Sequence, residues 1–303
     1  MITSKSTAIT EHKRTGNEIM EISNSERASV IIEALPYIQE YTNKVVVIKY
    51  GGSAMLNDEL KQAVMGDIVL LSLVGVKVVL VHGGGPEISD MLKRVGKESI
   101  FADGLRVTDK ETMEIVQMIL AGKVNKDLVK LIQTKGGNAV GLCGADGGMI
   151  KAEPLADKYG YVGEITDIDP DPIIGVLDYD YIPVVSTVGI DDNGNSYNIN
   201  ADTAAAEIAA KLKAECLITL TDIEGILRDK DDPSTVIRTI RTGDAPKLIE
   251  SGIISGGMIP KINGCIKAIK SGVRKVFVID GRVPHSILVE TLTNEGLGTM
   301  IIE

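Results

Sequence analysis

Positive charge is scarce in this chain: 32 lysines and arginines stand against 42 aspartates and glutamates, a net charge of -10 over 303 residues. With a pI near 5.0 and no basic stripe, the surface suits neither nucleic acid nor an anionic membrane. Any anionic ligand must then be met by cations placed locally. Long apolar runs are missing as well. The first 24 residues are polar, mixed in charge and without a signal core. No later run reaches the roughly 20 residues of a transmembrane helix, so a cytoplasmic location is expected. Cysteine is limited to Cys143, Cys216 and Cys265, far apart and in or beside apolar segments. That pattern suits buried, reduced thiols better than a disulfide framework or a zinc site. Histidine is limited to His12, His82 and His285, and no H-R-D-type catalytic loop occurs. Neither G-x-x-x-x-G-K-[ST] nor a G-x-G-x-x-G after a strand is present, which removes the Walker loop and the dinucleotide fold. No internal repeat appears.

What is present is an alternating chain with 44% hydrophobic and 24% charged residues, those of a soluble globular protein. "NSERASVIIEALPYIQEYTNK" predicts an N-terminal helix over 25–43, with an N-cap at Asn24 or Ser25 and a kink at Pro36. Then come strand 44–50, helix 57–73, strand 76–82, helix 86–95, helices within 109–135 and strand 138–143. This order predicts a largely parallel sheet covered by helices on both faces. Between 149 and 199, short alternating segments divided by Gly, Asp and Pro predict hairpins and one more core strand. Helix and strand alternation resumes at "NINADTAAAEIAAKLKAE", with strands "CLITLT" and "RKVFVID" and helix "GMIPKINGCIKAIKSG". Two lobes sharing one sheet, divided near residue 187, are expected.

"VVVIKYGGSAM" reads as a doubly buried parallel strand ending in Lys49 and a glycine pair, Gly51 and Gly52. "VKVVLVHGGGPEISDML" ends a second strand in three glycines that open a helix, an arrangement that presents free N–H groups and the positive end of a dipole to an anion. Arg106, in "FADGLRVTD", is a residue type that grips carboxylates in bidentate fashion. In "YNINADTAAAEIAA", Asn198 and Asn200 sit at a helix start, and Asp202 falls in its first turn, where capping and dipole roles compete with a functional one. Lys261, in "SGGMIPKINGCIKAI", is a second lysine close to a glycine-rich turn. Two lysines, an aspartate and N–H-presenting loops make a device for phosphoryl transfer, where catalysis is mostly positioning and charge neutralisation. A carboxylate acceptor, with a pKa near ~4.3, needs no general base. The residue list therefore favours formation of an acyl phosphate.

Taken together and in order, "KYGGSAM", "VHGGGPEI", "DGLRVTD", "NINAD", "GGMIPK" and "EGLGTMI" resemble the amino acid kinase family over roughly Asn24 to Glu303, and within it the members acting on N-acetyl-L-glutamate. The resemblance implies an α/β fold, a three-layer αβα sandwich in two lobes. After a polar tail over 1–24 and the helix over 25–43 would come an N-acetylglutamate-binding and dimerisation lobe over 44–187 and an ATP-binding lobe over 188–303. It implies that Lys49 and Lys261 stabilise the transferring phosphoryl group while Asp202 holds them. Gly84, Gly85, Arg106 and Asn198 would bind N-acetyl-L-glutamate. Gly51 and Gly52 would face the phosphates, with Thr221, Asp222 and Gly257 at the nucleotide. Mg²⁺ would travel with ATP and require no protein metal site. The implied product is N-acetyl-L-glutamyl 5-phosphate, on the route to arginine. Arginine-sensitive members are similar in carrying an extra N-terminal helix that interlaces dimers into a homohexamer, a trimer of dimers. Glu295 and Gly298 are the candidates for an allosteric L-arginine pocket. Alternatives are a kinase of the same fold using aspartate, glutamate or carbamate, and a non-catalytic sensor. The end of the chain at Glu303 leaves no room for the regulatory domain that aspartate and glutamate kinases commonly append, and the joint presence of Lys49, Asp202 and Lys261 speaks against a sensor.

Overall fold

Residues 23–55, 57–229 and 231–303 are described in the structure, a computed structural model. The tail expected over 1–24 lies, up to residue 22, outside the described residues. The chain then enters through α1 (Asn24–Glu33) and α2 (Leu35–Tyr41). A capping box starts α1, but its N-cap is Ser23, one residue earlier than expected: the Glu26 carboxylate accepts from Ser23 N–H at 2.7 Å, and Glu26 N–H donates back to Ser23 Oγ at 3.2 Å. The expected kink falls at Ala34, because the Pro36 ring cannot follow a regular helical turn.

The first βα units are β1 (Val45–Tyr50), α3 (Asp58–Leu73), β2 (Lys77–His82) and α4 (Gly85–Arg94). A short hairpin, β3 (Phe101–Ala102) and β4 (Leu105–Arg106), leads to α5 (Lys110–Gln117), a π-helical stretch over Met118–Val124, and α6 (Asn125–Thr134), so the helices expected within 109–135 run on without a break. Next are β5 (Ala139–Cys143), β6 (Ile150–Pro154), β7 (Gly163–Ile168), α7 (Asp171–Asp178), β8 (Ile182–Ser186), β9 (Val188–Ile190) and β10 (Ser196–Asn198). The last third holds α8 (Ala201–Lys211), β11 (Cys216–Thr221), β12 (Thr239–Arg241), α9 (Ala245–Glu250), α10 (Met258–Lys270), β13 (Lys275–Asp280), α11 (Ser286–Leu292) and β14 (Thr299–Ile302). Strands β12 and β14 carry no clear period of their own in the sequence and were not expected.

Eight strands form one sheet in the order β12-β14-β13-β11-β1-β2-β8-β5. It is parallel except where β14 runs antiparallel to β13. A smaller sheet, β10-β9-β6-β7, is built from the segments expected to be hairpins, while β8 is the additional core strand. Two apolar clusters lie on opposite faces of the large sheet, giving the expected αβα sandwich: one is covered by α2 to α6 and α11, the other by α7 to α10. Strand alternation decides which side chain reaches which layer. Val46, Ile48 and Tyr50 join the first cluster, whereas Val45 and Val47 join the second, so Lys49 points toward the α8 side. All three cysteines are free thiols, two of them buried and Cys143 only half-buried. Among the described residues, no helix is long and apolar enough to cross a membrane.

Candidate active site

β1 is hydrogen-bonded to β2 on one side and β11 on the other, so the sheet is wound outward in two directions from this strand. In open α/β sheets a ligand crevice forms beyond the carboxyl ends of strands at such a switch. The two glycine-rich mouths, after β1 and after β2, therefore lie side by side. A cavity of ≈ 260 Å³ opens there, lined among others by Lys49, Gly51, Gly52, Arg106, Asn198 and Asp202, with Gly83 to Gly85 between them. Its size is below the ~300–1,000 Å³ of drug-sized ligand sites and suits a small acceptor.

Lys49 is 9% exposed, and its Nζ lies 2.9 Å from Asp202 Oδ1. The contact is an ion pair, and no other donor among the described residues reaches Asp202 Oδ1. Asp202 is held in the first turn of α8 by Asn200, the N-cap, whose Oδ1 accepts from Asp202 N–H at 2.9 Å and Thr203 N–H at 3.0 Å. Asn200 is thus a cap, while Asp202 turns toward the sheet. Across the cavity, Gly84 is the N-cap of α4, with no side-chain cap. A Cβ on Gly84 would sit 2.7 Å from Leu120 Cδ2, so only glycine lets the turn pack this closely on the helix layer. Gly85 has open space where a Cβ would be and faces outward. The orphan N–H groups of this turn remain for a ligand.

Arg106 is 7% exposed. Its guanidinium donates to Ser99 Oγ at 2.7 Å and to Gly85 O and Ser89 Oγ at 2.9 Å each, and it lies 4.7 Å from the centre of the Phe101 ring. Among the described residues no carboxylate comes within 4.0 Å of it, and burial lowers its pKa. A buried guanidinium without a counter-ion is expensive unless an anion completes it. Asn198, in β10, donates from Nδ2 to Thr108 Oγ1 at 3.3 Å and also lines the cavity.

The remaining candidates lie outside this cavity. Lys261 is in the first turn of α10 behind the uncapped N-cap Gly257, half-buried and with no carboxylate within 4.0 Å among the described residues. Burial pushes the Cys265 thiol up to about 12, raised further by Asp202 and lowered by Lys261, so one sulfur senses both charges. Thr221 ends β11 with its hydroxyl turned inward to the carbonyls of Ile223 and Ile279, each at 3.2 Å, while Asp222 is exposed. Near the C-terminus Glu295 is exposed, and Gly298 N–H donates to Glu290 Oε2 at 3.1 Å, which also accepts Leu297 N–H at 2.6 Å. Among the described residues, no group of three or more His, Cys, Asp or Glu side chains is arranged to hold a metal ion.

Sequence reasoning missed Ser89, Ser99, Phe101 and Thr108 around Arg106, since isolated serines and threonines carry no periodic signal. It also passed over His82 and Asn125, although a histidine directly before three glycines is a visible mark. The profile of the amino acid kinase family matches residues 44–280. The acetylglutamate kinase of Clostridium kluyveri is 57% identical over 279 residues, covering 91% of this chain and 99% of that one. That of Moorella thermoacetica is 52% identical over 294 residues, with 93% and 99% covered. Among solved structures, N-acetylglutamate synthase from Neisseria gonorrhoeae, complexed with coenzyme A and N-acetyl-glutamate, is similar at a TM-score of 0.79 and 27% identity, covering 91% of this chain and 63% of that one. Giardia lamblia carbamate kinase bound to AMP-PNP, at 18% identity and a TM-score of 0.63 with 86% and 99% covered, shares the fold. The motifs, the parallel sheet with its glycine mouths, and these likenesses agree: the chain belongs to the amino acid kinase family.

Proposed function

We propose that this chain is an ATP-dependent kinase that phosphorylates the γ-carboxylate of N-acetyl-L-glutamate, yielding N-acetyl-L-glutamyl 5-phosphate for arginine biosynthesis in the cytoplasm. The observation that carries the reading is Arg106: a buried cation with no counter-ion among the described residues, lining the same cavity as the Lys49–Asp202 pair. An amino-acid-like acceptor supplies an α-carboxylate for Arg106 and a second carboxylate for the glycine turns. The identity to acetylglutamate kinases over more than nine-tenths of the chain supports this acceptor over aspartate, glutamate or carbamate. Lys49 then faces the transferring group from the acceptor lobe, and Lys261 faces it from the nucleotide lobe. Asp202 fixes Lys49 between them.

ATP is assigned to the region of Thr221, Asp222, Gly257 and Lys261, where the positive end of the α10 dipole and the Lys261 ammonium favour phosphates. With no three-carboxylate cage among the described residues, Mg²⁺ would take its ligands chiefly from the nucleotide, as this ion commonly does. It would supply charge neutralisation on the phosphates. The attacking carboxylate is already ionised, so no general base is required.

L-arginine is proposed as an inhibitor and a homohexamer as the assembly. α1 has no buried residue, and Val30, Ile31 and Ile32 are 62%, 71% and 66% exposed, apolar surface suited to the same helix of another copy. The arginine pocket is assigned to the C-terminal loop with Glu295 and Gly298. The test is ADP release with N-acetyl-L-glutamate, glutamate and aspartate side by side. Turnover with the acetylated substrate at least about tenfold above the others is expected; equal or greater turnover with either free amino acid would refute the assignment. Rates that stay flat up to millimolar arginine would remove the inhibitor.

A further inference from the structure

His82 ends β2 directly before the three glycines and is fully buried. Alternation along β2 sends Val79 and Val81 to the α8 side, so His82 points the other way, into the layer of α5 and α6. Its Nδ1 lies 2.8 Å from the Gly83 carbonyl oxygen and its Nε2 3.1 Å from Asn125 Nδ2. A carbonyl can only accept, so Nδ1 carries the hydrogen and Nε2 is the acceptor. The Asn125 amide nitrogen also faces two further acceptors, Val184 O at 2.8 Å and Leu142 O at 3.2 Å, while its oxygen takes Lys126 Nζ at 3.0 Å. Each assignment requires the other. Gly141 makes the room, since a Cβ there would collide with Asn125 Oδ1. The π-helical stretch Met118–Val124 delivers both contacts, setting Leu120 and Val124 on Gly84 and Asn125 on His82.

We propose that His82 and Asn125 are positioning residues that aim the Gly84 N–H at the anionic group of the acceptor. This rests on the acceptor reading of the cavity. The peptide between Gly83 and Gly84 is trans, so its oxygen and its N–H point to opposite sides of one plane. Tying the oxygen back to the buried imidazole turns the N–H outward, in a turn of glycines that would otherwise swing freely. No protein acceptor takes the Gly84 N–H among the described residues. Neither His82 nor Asn125 lines the cavity. Burial, opposed by the Gly83 bond and assisted by Lys126, brings the His82 pKa down to about 4, which keeps the ring neutral at working pH.

With three histidines in the chain, long-range ¹H–¹⁵N NMR on the intact protein resolves each ring. His82 is expected in the Nδ1–H tautomer from about pH 8 to about pH 5. Asn125→Ala should raise KM for N-acetyl-L-glutamate about tenfold or more while KM for ATP stays within about twofold. Asn125→Asp keeps the size but cannot donate to Nε2, so the Gly83 tie survives only on a doubly protonated ring. Its acceptor KM should climb between about pH 6 and about pH 8, a slope absent from the unaltered protein. An Nε2–H tautomer, titration of His82 between those limits, or folded Asn125→Asp with an unaltered KM at about pH 8 would overturn the proposal. A purely structural pair would lower Tm and leave that KM split unmoved. If the unaltered protein phosphorylates no acceptor, the reading of the cavity fails, and the tautomer alone then decides this inference.

Discussion

Lys49 and Arg106 are both buried cations, yet their surroundings differ, in line with the different work proposed for them. Lys49 has a protein carboxylate at 2.9 Å, and Arg106 has only neutral hydrogen-bond partners among the described residues. A charge already balanced is free to follow charge that develops in the transition state, whereas an unbalanced one binds ground-state anion. Lys49→Ala should therefore lower kcat about 100-fold or more with KM for the acceptor within about threefold, and Arg106→Ala should raise that KM about tenfold or more. Steady-state kinetics on both variants check this, and an exchanged pattern would mean exchanged roles. Two other buried groups set the acid response. Burial raises Asp67 to about 6 despite its 2.6 Å contact with His285 and the nearby charge of Lys135. The folded state thus holds a proton the unfolded state releases, and this stabilisation is present at low pH and lost as pH rises through about 6. His82, lowered to about 4, acts oppositely: its contribution is present above about 6.5 and lost as pH falls toward about 4. Each is worth about 3 kcal/mol by the linkage relation, so they offset. Asp67→Asn should leave the His82 slope exposed: urea midpoints that fall between about pH 6.5 and about pH 4, against a nearly flat profile for the unaltered protein.

The elements that hold these residues were legible in the sequence to different degrees. β1 and β2 were clear because β-branched runs ending in glycines have few other readings, and their pairing follows from the βαβ rule. Helix α8 was clear from its cap and alanines, although the capping role of Asn200 could not be separated from a ligand role before the 2.9 Å bond to Asp202 N–H was seen. Asn200→Ala should cost about 1 kcal/mol of stability and, by loosening Asp202, lower kcat a few-fold with no change in KM, checked by thermal melts and kinetics together. The π-helical stretch between α5 and α6 was not legible. Its one-residue offset leaves apolar spacing that reads as ordinary helix, and its purpose appears only against Gly84 and His82. The pocket around Arg106 was half legible: the arginine stood out, but Ser89 and Ser99 come from two separate segments that only the fold brings together.

At the scale of the molecule, one eight-stranded sheet carries both halves of the proposed site, with Lys49 on β1 and Lys261 on a helix packed beside α8. Such a sheet fixes the loops relative to each other, and α1 is the α-helix, among the described residues, that buries nothing of its own. On the hexamer proposed above, Ile31→Asp together with Ile32→Asp should therefore leave only dimers in sedimentation velocity without loss of catalytic rate; a hexamer that persists would remove α1 from the proposed assembly. In the proposed reaction an ionised side-chain carboxylate takes the γ-phosphoryl group of ATP to form a mixed anhydride, and ADP leaves. Hydroxylamine traps acyl phosphates as hydroxamates and leaves phosphate esters untouched, so the most direct measurement is hydroxamate formed from N-acetyl-L-glutamate against ADP released. Hydroxamate equal to ADP, abolished together with it in Lys49→Ala, is the predicted result. ADP released without hydroxamate would contradict the account.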